Sequence, residues 1–105
     1  MLIAMALIAA GLAGPPPQRG PWVTNDDYPL AARRAGLEGT VYFRLDIDAE
    51  GRPSACTITQ SSGHAVLDDA TCPLLMKRAR FNPARDDTGK AVAGSWSNRF
   101  VWSLQ

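Results

Sequence analysis

The chain has 105 residues, with 11 Lys and Arg against 10 Asp and Glu, one His and two Cys. That length holds a single domain. The near-neutral balance argues against a protein held on nucleic acid by bulk charge, because such domains are strongly basic.

The charge is unevenly spread. No Lys, Arg, Asp or Glu precedes Arg19, and residues 1–14 are all Met, Leu, Ile, Ala or Gly. A run of that length is short for a membrane span, which needs about 20 apolar residues. It suits the apolar core of a secretory signal peptide, and Gly11-Leu12-Ala13 offers small residues for cleavage, although no basic residue precedes the run. Export is the expectation for residues 1–14, with an uncleaved membrane anchor and a buried N-terminal helix as the alternatives. In an oxidising compartment Cys56 and Cys72, an even pair, are expected to form a structural disulfide.

Pro15-Pro16-Pro17 and Pro21 predict a short stiff linker of polyproline type over residues 15–21. The domain is expected over residues 22–105. Pro29 suits the first turn of a helix, Asp26 and Asp27 favour the positive end of its dipole, and Gly36 is a natural stop. A short helix is predicted over 29–36. From Thr40 to Asp48 the chain alternates, with Val41, Phe43, Leu45 and Ile47 on one side and Tyr42, Arg44, Asp46 and Asp48 on the other, which predicts a half-buried strand. Asp48-Ala49-Glu50-Gly51 reads as a turn into a second strand over Pro53–Gln60, closing a hairpin.

A second helix is predicted from Val66 to Arg80, with Leu67, Ala70 and Leu74 at helical spacing. Pro73 inside it predicts a kink or a restart. Arg85 to Lys90 reads as a polar turn. The last strand is predicted over Val92–Leu104, with Phe100, Trp102 and Leu104 on one face and Arg99, Val101 and Ser103 on the other. The order α-β-β-α-β describes an α+β fold: a small three-stranded antiparallel sheet with two helices packed on one face.

Catalytic material is scarce. His64 with Asp68 and Cys72 is the one conceivable nucleophilic set. A helix starting near residue 66 separates His64 from the other two, and a disulfide removes the nucleophile. Two Cys and one His fall short of a four-ligand zinc site. Asp46, Asp48 and Glu50 lack the downstream acid of a calcium loop. No metal, no cofactor and no enzymatic activity are expected.

The residues that remain resemble a known family. Tyr28-Pro29, Ala32, Gly36-Leu37-Glu38-Gly39, Val41, Ile47-Asp48 and Gly51 look like the start of the TonB C-terminal domain. Ser61-Ser62-Gly63, Leu67-Asp68, Ala70, Arg80-Phe81, Pro83-Ala84 and Phe100 continue the same pattern in order. The resemblance covers about residues 22–105. It implies a periplasmic binding module that takes up an extended segment, the TonB box, of an outer-membrane TonB-dependent transporter by strand addition. Carried over by position, the docking edge is Ser97, Asn98, Arg99, Phe100, Val101 and Trp102. A second contact falls on Thr24, Asn25, Asp26 and Asp27, where this chain has no Gln. The alternative is an envelope structural or assembly subunit that dimerises through the same edge. The apolar run lacks the family's intramembrane His, and only three consecutive prolines follow it, so contact with ExbB and ExbD is not implied. Nucleic acid is not an expected partner.

Overall fold

The computed structural model describes residues 14–18 and 20–104. The expected leader, up to residue 13, lies outside them. The alternating segment forms strand β1, Gly39–Ile47, at the centre of the sheet. Its Val41, Phe43, Leu45 and Ile47 are buried, which places the core on the face the alternation predicts. Strand β2, Pro53–Gln60, pairs antiparallel along one side of β1. The last long strand, which we label β5 (Gly94–Trp102), pairs antiparallel along the other, giving the order β2-β1-β5.

Local chemistry sets the β1–β2 turn. The Asp48 carboxylate accepts the Glu50 and Arg52 N–H groups at 2.9 Å each. Gly51 takes φ +85° there, and a Cβ on it would stand 2.0 Å from the Phe81 carbonyl oxygen. The Phe81 N–H in turn donates to the Gly51 carbonyl at 2.8 Å, locking the turn to the segment that follows the second helix.

Helix α1 spans Leu30–Ala35 and ends on Gly36 at φ +69°, whose N–H returns to the Ala32 and Arg33 carbonyls. Helix α2 spans Ala65–Arg78. It runs unbroken through Pro73, so the expected restart does not occur. Pro73 and Asp69, the residue whose carbonyl loses its donor, are both exposed, so water can satisfy that oxygen. The opposite face buries Leu67, Thr71 and Leu75, and Cys72 is bonded to Cys56 of β2 with a Cα–Cα distance of 5.7 Å. Those contacts hold both halves of the helix against the sheet. Both helices pack on the same side, with Ala32, Leu67, Leu75, Ala79, Phe81 and Trp102 joining the β1 residues in one cluster.

Two short strands interrupt the expected connection. Strand β3, Ala84–Arg85, pairs with β4, Ala91–Val92, and β5 starts only at Gly94 rather than Val92. The Asp86 carboxylate fixes the intervening turn by accepting the Thr88 and Lys90 N–H groups. The Pro-rich segment lies along this region. Pro17 bridges Phe81 in antiparallel fashion, the Gln18 N–H donates to the Arg80 carbonyl at 2.8 Å, and the Asn82 N–H donates to the Pro16 carbonyl at 3.0 Å. Among the described residues no helix is long and apolar enough to cross a membrane.

Candidate docking edge

A three-stranded sheet leaves two outer edges, and they differ. The β2 edge opens with Pro53, and its pairing with β1 shifts register twice, between Tyr42 and Phe43 and between Asp46 and Ile47. Proline and irregular pairing are common ways of blunting an edge. The β1–β5 pairing runs without a shift from Gly39↔Trp102 to Ile47↔Gly94. The outer side of β5 is therefore the regular edge of this sheet.

Alternate residues of an antiparallel strand address opposite sides. The Asp46 carbonyl accepts from the Ser54 hydroxyl of β2 at 3.2 Å, so the even-numbered residues of β1 address β2. The odd-numbered residues Val41, Phe43, Leu45 and Ile47 then bond β5 through Phe100, Asn98, Trp96 and Gly94. The N–H and C=O groups of Ser95, Ser97, Arg99 and Val101 are left facing outward. Gly14 sits against the first of these, so close that a Cβ on it would be 2.7 Å from the Ser95 carbonyl oxygen. The open stretch is Ser97 to Val101.

A groove of ≈ 340 Å³ follows this edge on the helix side of the sheet. Trp96, Asn98, Arg99 and Phe100 form one wall, residues 17, 18 and 20–23 form the other, and Phe43 and Leu75 lie at its base. Trp22 is held by an aromatic cluster, with ring centroids 5.3 Å from Phe81 and 5.8 Å from Trp96. Its carbonyl accepts from the Arg78 guanidinium at 3.0 Å. The groove thus lies between a strand edge with no neighbouring strand and an apolar, aromatic trough.

The six residues expected to form the edge play different parts. Ser97, Asn98, Arg99 and Val101 are exposed, and Val101 keeps 53% of its surface. Phe100 is half-buried in the groove wall. Trp102 is fully buried, stacked edge-on against Tyr28 and Phe100, with its indole N–H donating to the Thr71 hydroxyl at 3.1 Å. Its side chain belongs to the core. Asn25–Asp27 form a one-turn 3₁₀ element with Thr24 as its N-cap, and none of the four lines the groove. Thr24 and Asp27 cap each other reciprocally. The Arg78 guanidinium, 2.7 Å from Asp27, and the Thr24 N–H hold that carboxyl below the usual carboxylate range. The groove residues that precede them, Trp22 above all, were not anticipated from the sequence. An aromatic residue beside Pro21 was the one available signal.

The nucleophilic set does not assemble. Cys72 is in the disulfide. The Asp68 carboxylate is pushed up by burial, yet hydrogen bonds from Ser61 and Ser62 outweigh this and leave it lowered. It organises the β2–α2 loop by accepting the Ser61 hydroxyl, the Ser62 N–H and the Ser62 hydroxyl. Asp46 pairs with Arg44.

The molecule is thus a two-helix, three-stranded α+β domain with one regular open edge beside an aromatic groove. Residues 24–104 match the family described as Gram-negative bacterial TonB protein C-terminal, and the chain belongs to that family. The family is a non-enzymatic domain of transport energy transducers. Among curated relatives, the chain is 42% identical over 59 residues to Protein tonB2 of Pseudomonas aeruginosa, a match covering 56% of this chain and 22% of that protein. It is 36% identical over 56 residues to Protein TonB of Vibrio cholerae, covering 53% and 22%. These matches span about a fifth of the relatives' length. The solution NMR structure of the Pseudomonas aeruginosa TonB CTD superposes with a TM-score of 0.64 at 28% identity, covering 85% of each chain.

Proposed function

We propose that this domain binds an extended segment, the TonB box, of an outer-membrane TonB-dependent transporter by adding it as a fourth strand to β5, in the service of energy-dependent transport. The observation that carries the reading is the shift-free outer edge of β5, where Ser97, Arg99 and Val101 have no neighbouring strand and Arg99 lines the adjoining groove. Backbone pairing supplies affinity in such additions, and pockets for alternate side chains supply selectivity. Trp22, Trp96 and Phe100 furnish the apolar pocket on one side of the incoming strand. The reading puts the domain in the periplasm, with residues 1–14 as its export signal, in keeping with the envelope setting of the family and with the Cys56–Cys72 bridge.

Calorimetric titration of the full chain with a synthetic TonB-box heptapeptide tests this. Saturable one-to-one binding is expected. Replacing one pairing residue of the peptide by proline removes an N–H, and should weaken binding about fivefold or more. Equal binding of a scrambled peptide, or none of either, contradicts the proposal. Pairing of two copies through β5 is the competing use of the edge. It would appear in sedimentation as a dimer at micromolar concentration that the peptide does not dissociate.

A further inference from the structure

We propose that Asn98 is a guard on the docking edge: its side chain caps the central outward N–H of β5 in the unliganded protein and has to swing away before a strand can add. The inference rests on the reading of β5 as the docking strand. The Arg99 N–H donates to the Asn98 side-chain oxygen at 2.8 Å. By the parity of the β1–β5 ladder this N–H faces away from β1. Of the outward residues Ser97, Arg99 and Val101 beyond Ser95, the capped one is the middle one.

Asn98 is also out of place by side-chain pattern. It occupies the row of Trp96, Phe100 and Trp102, whose side chains are all aromatic. It is exposed at the groove rather than buried, and among the described residues its amide nitrogen has no hydrogen-bond partner. Packing therefore gives no reason for the polar residue, whereas capping does. A regular uncapped edge is a template for pairing with a second copy. A side chain that satisfies its central donor lowers that hazard at a cost to affinity. Strand addition then exchanges one bond for another: the ligand carbonyl takes the Arg99 N–H, and the released Asn98 amide turns into the trough, where it meets the ligand's inward side chain.

The test uses the full chain and the variants Asn98→Ala and Asn98→Asp. Ala removes the cap, while Asp keeps an oxygen acceptor in the same place. The first readout needs no ligand. By NMR, the Arg99 amide should exchange with solvent about fivefold faster in Asn98→Ala and no faster in Asn98→Asp. The second is affinity for the TonB-box heptapeptide, which should rise about fivefold in Asn98→Ala and not in Asn98→Asp. Sedimentation should show stronger self-association of the Ala variant. Unchanged Arg99 exchange overturns the proposal. So does a fall in peptide affinity, or no change in it, which would make Asn98 an ordinary contact or a bystander. If the unsubstituted protein binds no peptide, strand addition fails as its function, and the exchange and sedimentation results decide the guard alone.

Discussion

Cutting the Cys56–Cys72 bridge offers a perturbation whose size follows from the chain itself. The bridge joins residues 16 apart and ties the outer strand β2 to helix α2. In the chain-entropy model a loop of that size is worth about 3 kcal/mol. A domain of this length is stable by on the order of 10 kcal/mol, so the loss is a large fraction but leaves a folded protein. One kcal/mol moves the midpoint of a small domain by about 4–8 °C, so a fall of about 15 °C is expected. Circular dichroism melts of the oxidised protein, the protein with reductant, and the double variant Cys56→Ser/Cys72→Ser measure it. Since the chain has no other cysteine, reductant acts on this bond alone. The reduced protein and the double variant should melt together. A fall below about 5 °C would refute the entropic reasoning. Two titratable thiols in the oxidised protein would refute the bridge itself.

Gly51→Ala places a Cβ against the Phe81 carbonyl at a positive φ, and should destabilise by about 2 kcal/mol or more in urea titrations. A neutral result would mean the turn can open away from Phe81. Trp102→Phe removes the indole donor to Thr71 and leaves a void, for an expected loss of about 2 kcal/mol that Thr71→Val should not fully add to. Full additivity would show that the bond contributes nothing. Because the folded-state pKa of Asp27 is depressed, its contribution is present above the unfolded value and is lost as pH falls through the folded one. Asp27→Asn should therefore cost about 1 kcal/mol or less at pH 7, and the gap from the parent should close at a pH below the depressed folded-state pKa. A penalty that persists at that pH would assign the loss to shape rather than charge.

The fold was legible where burial dictates a period. The alternation of Val41, Phe43, Leu45 and Ile47 marks both the strand and its inner face, because only one face of this sheet is covered. The restart considered at Pro73 does not occur, because propensity is local. The helix tolerates it where the orphaned carbonyl meets water and where the inner face and the disulfide hold both halves. The β3–β4 pair is two residues per strand, too short to carry any period, and rests instead on the Asp86 turn. The last strand was readable as a stretch, but not which of its residues form the open side of the sheet. Which of residues 97–102 turn their backbone outward depends on which side of β1 pairs with β2, a tertiary fact that no residue of β5 encodes. The far wall of the groove was hidden for the same reason. Nothing in residues 17–23 names Trp96 and Phe100 as their neighbours.

The same parity supplies the most direct measurement of strand addition. Amide hydrogen exchange along β5 should be recorded with and without a saturating TonB-box peptide. Ser97, Arg99 and Val101, which face outward, should gain protection. Trp96, Asn98 and Phe100, already bonded to β1, should change little. Protection that ignores this alternation, or that appears on α2 and leaves β5 untouched, would contradict docking at this edge.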